Sequence, residues 1–526
     1  MTEDTNQFHV SQIPDRSQQE SLRVLRKSPK TVRARLMALL ILSTVCSTTI
    51  GNAETALWPQ FRGPNSSGIA VGASPPIRFG PKRNVQWQLP LDSGHSSPCI
   101  SGDSLFLTTF NDKTKQLAVV CISRSLGKQR WRRVVEVDEI ESGHPSFNPA
   151  SSSPATDGER IVAYFGSCGL HCFDLDGEKL WEIKMPLTES YAGNATSPAI
   201  YGDRVILYRG NHVDHFLLAV DKHTGKEIWK VPQGEKFTSE MACTACPIVS
   251  EQTLIAHTAR SVQAYDLATG KRRWVTKCAT TATSSPVIAG NKVIVAAWNK
   301  MGEPVLRPPF PSFEELLDQQ DQNTNQTIDQ NEFPRLWIFH RPLGAEAPQN
   351  GATVRFRNAD KNGDGEINQN EWQQQLASLA ELRSRYRTHG LLSINIGSVG
   401  IVEDASIQVL ETRGIPEVPS PIYHRGYVYL IKNGGLLTCL KVSTGQREYQ
   451  IRTGSRGTHY ASPLIANDLL FATSGDGKIT VLTLGPNPEI LATNDLEDNV
   501  FATPAIVDGV IYVRTHHSLY AFSTQE

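Results

Sequence analysis

Eight prolines that open apolar stretches recur along the chain: Pro98, Pro154, Pro198, Pro247, Pro286, Pro421, Pro463 and Pro504. Successive intervals are 56, 44, 49, 39, 135, 42 and 41 residues. A period of this size marks a supersecondary unit that cannot bury both its faces alone and needs copies of itself as neighbours. Residues 194–232 display the unit. Thr196-Ser197-Pro198 opens one strand, where proline costs little because no ladder bond is yet required. Gly202-Asp203 reverses the chain into Arg204–Tyr208, and the polar link Gly210–Asp214 leads to Phe216–Val220. Asp221–Gly225 turns again, into a fourth strand carrying Trp229. The glycine-to-aromatic spacing recurs as Gly127/Trp131, Gly177/Trp181, Gly225/Trp229, Gly270/Trp274 and Gly445/Tyr449. The one long interval contains a non-repetitive segment, 299–386, and without these 88 residues it shrinks to 47.

Such repeats predict an all-β, eight-bladed β-propeller of four-stranded antiparallel blades, interrupted within blade 5. Residues 500–523 supply only three strands. Val85–Pro90, with Trp87, reads as a lone fourth strand that completes this last blade and closes the ring, removing open sheet edges. The expected organisation is therefore a segment at 1–53, propeller at 54–298, an insertion at 299–386, and propeller again at 387–526.

Lys plus Arg number 52 and Asp plus Glu 53, a balance that offers no basic face for nucleic acid. Arg23, Arg26, Lys27, Lys30, Arg33 and Arg35 precede an uncharged run, Leu36–Ala53, ending in the small residues Gly51-Asn52-Ala53. This reads as an export signal with a long basic region, placing the rest in a periplasmic or secreted setting. The competing reading is an uncleaved anchor, for which 18 residues rich in Ser and Thr are short; the mature chain is expected to carry no membrane span and to be monomeric. Nine cysteines include Cys46 in the signal; the other eight allow 105 pairings. Cys243-Thr-Ala-Cys246 precedes Pro247 rather than His, so it is no haem-attachment site and reads as buried small residues or a local disulfide.

The pattern SP-x-I-x-G-D … D-x-x-T-G-K-x-x-W, over most of residues 96–523, resembles the PQQ-like β-propeller repeats. That family includes quinoprotein alcohol dehydrogenases and the propeller lipoprotein of the outer-membrane assembly machine. Trp58–Pro64 and the interrupted blade are similar to the subgroup common in planctomycetes, with an embedded EF-hand pair. The resemblance implies for the dehydrogenases a quinone (PQQ) stacked on a disulfide between adjacent cysteines, an acidic base, and a Glu/Asn/Asp calcium set near the axis. No Cys-Cys pair occurs here, and no C-x-x-C-H haem motif. The primary reading is thus a non-catalytic binding or scaffolding module, with a PQQ-dependent alcohol or sugar dehydrogenase as the alternative.

The insertion carries the sharpest chemistry. Residues 360–371 form a twelve-residue EF-hand loop in which Asp360, Asn362 and Asp364 supply side-chain oxygens at positions 1, 3 and 5. Glu366 offers its carbonyl at position 7, Asn368 acts at position 9, and Glu371 closes the site bidentately. Gly365 permits the bend, and Trp372, Leu376, Leu379 and Leu382 mark an exit helix. Aligning Ile328 with Ile367 places Asp321, Asn323, Asn325, Thr327, Asp329 and Glu332 at the same six positions, after a helix at 313–320. Gln326 stands where glycine belongs, and Pro334 falls in the first turn of the expected exit helix. One or two Ca²⁺ ions are expected, stiffening the insertion.

Residues just before the strand-opening prolines should ring the axial funnel: His95, Asn148, Asn194, Glu240, Glu417, His459 and Tyr460. They are expected to form a polar mouth for a small-molecule or protein ligand, with the insertion leaning over it. The other reading makes them loop residues that satisfy backbone groups.

Overall fold

The computed structural model describes residues 57–235, 242, 244–341, 350–386 and 388–524. Of two compact units, Met1–Ala53 and Glu54–Glu526, only the second falls within these residues. The expected export signal lies outside them, as do Glu240 and Cys243.

Eight antiparallel sheets of four strands follow one another along the chain. In blade 3, Ala199–Tyr201, Arg204–Gly210, His215–Asp221 and Glu227–Pro232 pair in sequence order. Gly202 takes φ +58° in the first reversal. In the second turn Asp221 Oδ1 accepts from the amides of His223 and Thr224, and Gly225 takes φ +69°. The middle strands are buried on both faces, as in Phe216–Val220. The fourth strand, at the outer edge, alternates, with Trp229 facing inward between exposed neighbours.

The tryptophans lock blade to blade. Trp87, Trp131, Trp181 and Trp229 lie against Gly127, Gly177, Gly225 and Gly270 of the next blade, where any Cβ would come within 2.5 to 2.8 Å of the indole. Each indole N–H donates to a carbonyl two or three residues before that glycine: Arg124, Leu175, Lys222 and Leu267, at 2.7 to 3.1 Å. Glycine therefore serves the preceding blade's tryptophan as well as its own turn. Across the sheet a small residue faces the indole, as in Cys121↔Trp131, Cys172↔Trp181, Ala219↔Trp229 and Ala264↔Trp274. The seven described cysteines are free thiols.

Val85–Pro90 pairs antiparallel with Ser518–Phe522, setting Trp87 opposite Ala521, so the N-terminal strand completes blade 8. Three short segments add to other sheets. Leu57–Trp58 runs antiparallel to Cys99–Ser101 of blade 1. Ile69–Ala70 runs parallel to Leu464–Ala466 of blade 7, and Gly400–Ile401 runs parallel to the outer strand of blade 4.

Blade 5 is made of Val287–Ala289, Lys292–Ala297, Gly390–Asn395 and Gln408–Glu411, and the insertion leaves between its second and third strands. It contains helices α1 (Phe313–Gln320), α2 (Phe356–Ala359) and α3 (Gln369–Ser384). Its own core is Phe313, Leu316, Ile328, Ala359, Ile367 and Trp372. Capping boxes start two of the helices: Ser312 with Glu315 for α1, and Asn368 with Glu371 for α3. No helix follows Glu332, contrary to the sequence expectation. Pro334 lacks an amide donor and disfavours helical Phe333, and the chain instead forms a hairpin, Trp337–Arg341 with Asn350–Thr353. Among the described residues no helix is long and apolar enough to cross a membrane.

Candidate functional site

The residue before each strand-opening proline faces the axis, and these residues are linked around it. The amides of Ser97, Ser153, Ser197, Cys246, Ser285, Ser420 and Ser462 donate to the side chains of Ser153, Ser197, Cys246, Ser285, Ser420, Ser462 and Thr503 respectively. The oxygen-accepted links measure 2.8 to 3.0 Å and the one to sulfur 3.3 Å. Each of blades 2 to 8 thus satisfies a buried amide of its predecessor with a side chain small enough to stand at a crowded axis.

One mouth of the axis is crossed by the N-terminal segment. Pro59 O accepts from Thr156 N at 2.7 Å, Gln60 Nε2 reaches Tyr201 OH at 3.2 Å, and Arg62 Nη2 donates to Pro421 O at 2.6 Å. These contacts span blades 2, 3 and 6 within four residues. Phe61 lines the axial cavity, which measures about 180 Å³. Arg62 is fully buried, and desolvation lowers its guanidinium pKa to about 10. In the sequence this role is signalled only by a short Pro- and Gly-bounded run, Gln60-Phe61-Arg62, with one aromatic and one cation.

Towards the other mouth stand Phe147, His95, Tyr460 and Phe501. His95 lies 4.8 Å from Phe501 between ring centroids, and Tyr460 lies 5.3 Å from it. Burial, then the charges of Arg514 and His516, push His95 down to about 3, so it is neutral at ordinary pH.

Of the residues expected at the mouth, His95 and Tyr460 line the cavity. Asn148 instead accepts from Ala150 N and donates to Ser93 Oγ. Asn194 donates to Ser152 Oγ and, through its amide, to Glu141 Oε2. The amide of His459 donates to Asn433 Oδ1, and its buried ring contacts Gly457 O. Glu417 pairs with Arg341 of the insertion at 3.1 Å and accepts the Thr283 hydroxyl on its carbonyl. Arg341 also lies over Trp298, 5.0 Å from its ring centre. The hairpin of the insertion thus touches the rim, yet no described insertion residue lines the cavity.

The two insertion loops meet through Ile328↔Ile367 and Asp329↔Glu366. Their internal bonds match position by position. Asp321 Oδ2 accepts from Gln326 N, as Asp360 Oδ2 does from Gly365 N. Asn323 and Asn362 cap the amides of Asn325 and Asp364, which in turn cap those of Thr327 and Glu366. Asp329 and Asn368 accept from the amides of Glu332 and Glu371. Glu332 Oε1 and Glu371 Oε1 each accept two amides at the start of their loop. The loops differ in backbone cost: Gly363 and Gly365 take φ +78° and +90° freely, whereas Thr324 and Gln326 are held at +59° and +64°. Among the described residues no three His, Cys, Asp or Glu side chains converge on one point; the carboxylates here face loop amides. Asp321 Oδ1 is buried without a partner.

Ring, docked tryptophans and eight blades define a propeller of PQQ-like repeats. The family model described as "Outer membrane protein assembly factor BamB" matches residues 77–300 and 214–355, and the chain belongs to that family. A search of curated proteins found none that matches. Among solved structures, a europium-containing methanol dehydrogenase is 10% identical with a TM-score of 0.52, over 89% of this chain and 98% of that one. The computationally designed Ika8 protein is 9% identical with a TM-score of 0.51, over 84% and 99%. BamB from Moraxella catarrhalis is 11% identical with a TM-score of 0.49, over 84% and 98%. At these identities the likeness is one of fold alone.

Proposed function

We propose that this chain is an exported, calcium-stiffened propeller that binds a partner at the open mouth of its axis and performs no redox chemistry there. The observation that carries the reading is the lining of the cavity. Among its described residues there is no Asp, Glu, Asn, Lys or Arg, only hydroxyls, one thiol, His95, aromatic rings and small apolar groups. A quinone site of the dehydrogenase kind calls for an acidic base, a carboxylate-rich calcium set and a disulfide of adjacent cysteines. The residues present do not fit that group. The family's description as an assembly factor supports a scaffolding role and an exported location.

Calcium fits the insertion better. Each loop offers three carboxylates at ligand positions, and further oxygens, at the spacing a hard cation takes. Asp321, Asn323, Asn325, Thr327, Asp329 and Glu332 would hold one ion, and Asp360, Asn362, Asp364, Glu366, Asn368 and Glu371 the other. The unpartnered Asp321 Oδ1 favours a cation at the first loop. Bound ions would stiffen the hairpin that Arg341 ties to Glu417, and so fix the shape of the rim.

Two measurements test the proposal. Reconstitution with the quinone and calcium, followed by dye-linked oxidation of alcohols and sugars, should give no turnover; turnover above background overturns the non-catalytic reading. Affinity capture from the exported fraction, with wild type, Glu371→Gln and Tyr460→Ala as baits, should retain a partner on wild type alone. Equal retention by all three overturns the placement of binding at the mouth.

A further inference from the structure

The segment that crosses the axis buries a charge without a counter-ion. Arg62 is fully buried, and its backbone is held at φ +64°, where a residue with a side chain is disfavoured. An arginine here therefore serves through its side chain and not through the turn. Nη2 donates to Pro421 O at 2.6 Å and to Ser67 O at 3.2 Å. The N–H groups of Nε and Nη1 are buried with no partner among the described residues. No described carboxylate lies close enough to pair with the guanidinium; the one titratable side chain that acts on it is the Cys246 thiol. Buried cations are ordinarily paired, because a lone one forfeits its hydration and gains nothing in exchange.

Beside Arg62 stands the axial ring. Pro421 directly follows Ser420 of that ring and Cys246 belongs to it, so the guanidinium stands near members from blades 4 and 6. Six hydroxyls and the thiol in the ring each accept a backbone amide, and all seven line the axial cavity of about 180 Å³. A hydroxyl that accepts an amide keeps its own O–H as a donor. The cavity is thus girdled by donors, and among its described lining residues there is no Asp or Glu to receive them.

We propose that the axis holds a small inorganic anion, chloride, between the unpartnered N–H groups of Arg62 and the hydroxyls of the ring. One cation among otherwise neutral donors suits a singly charged ion, which leaves the site with no net charge; a dianion would leave one negative charge buried and unpaired. The cavity exceeds the roughly 30 Å³ that one water occupies in the liquid, so the ion enters with room for a few waters. Binding transfers no proton and no electron. The anion ties Arg62 to the ring and so fastens the crossing segment over its mouth, independently of any partner at the opposite one.

The test uses the full chain, with calcium supplied as its gluconate so that no chloride enters with it. Melting temperature is followed as sodium chloride replaces sodium gluconate at constant ionic strength, which holds screening fixed. Wild type should gain about 1–2 °C for each tenfold rise in chloride above the dissociation constant. Arg62→Gln, which keeps an amide donor for Pro421 O but lacks the charge, should gain none. A readout free of mutation is bromide in place of chloride: anomalous diffraction from wild-type crystals grown in sodium bromide should place one ion between Arg62 and the ring. A wild-type melting temperature indifferent to chloride, an equal gain in Arg62→Gln, or an axis without bromide overturns the proposal.

Discussion

The indole of Trp131 lies against Gly177 of the next blade, where a Cβ would stand 2.8 Å from the ring, and its N–H donates to Leu175 O at 2.8 Å. Gly177→Ala must therefore displace the ring as well as strain a φ of +83°. The expected loss is about 2–4 kcal/mol. Gly202→Ala is the matched control. It has φ +58° with nothing within 4 Å, so only the backbone term of about 1 kcal/mol remains. Equal shifts in denaturant midpoint for the two would disprove the docking argument. Trp229→Ala should lose about 3–5 kcal/mol by the same measurement.

The axial ring makes a second prediction. Ser420→Ala removes the acceptor of the Ser285 amide, 3.0 Å away, and leaves that buried donor unpaired. A cost of about 1–3 kcal/mol is expected. Cys246→Ser, which exchanges a sulfur acceptor for an oxygen, should cost less than Ser420→Ala in the same unfolding assay.

Calcium titration by calorimetry should separate the two loops. Glu371→Gln removes a closing carboxylate and should abolish or greatly weaken the stronger site. Gln326→Gly should tighten the weaker one by about fivefold, because a left-handed residue with a side chain costs about 1 kcal/mol over glycine. Heat signals unchanged by both substitutions would remove calcium from the account.

Stability should also depend on Glu141. Its carboxyl is buried, and desolvation, against the opposing Thr188 hydroxyl and Asn194 amide, pushes it up to about 7. The folded chain thus holds this proton more tightly than the unfolded one. Its contribution is fully present below about 4.5 and is lost as pH rises through about 7. Melting temperature should fall across that window, and Glu141→Gln should flatten the fall. An unchanged slope in the variant would assign the effect elsewhere.

The period of the prolines and the Gly-to-aromatic spacing make the ring legible, because the proline recurs in all eight blades and the spacing in blades 1 to 4 and 6. Closure by Val85–Pro90 was legible for a related reason: a blade with three strands leaves an edge to be covered. The expected mouth was less so. Neighbourhood of a proline places a residue near the axis but does not say which way its side chain turns: Asn148 and His459 turn onto backbone groups and Asn194 onto the Ser152 hydroxyl. The serine ring escaped notice although its members stand in every repeat, since small hydroxyl residues before proline carry no periodic hydrophobic signal. The hairpin at Trp337–Arg341 is not legible because proline is tolerated in the first turn of a helix, so Pro334 is compatible with one, yet here no helix follows it.

The segment that crosses the axial mouth also bears on how the molecule is assembled. Residues 58–90 rest on partners as distant as Pro421, Ile465 and Phe522. Contacts of such sequence separation form late and slowly, since the intervening chain must first be confined. Until blades 7 and 8 exist, Ile69–Ala70 and Val85–Pro90 have no sheet to join, and the unpaired flanks of blades 1 and 8 stay open to other chains. A ring closed by its first and last strands is therefore most open to wrong pairing in the interval before those strands meet.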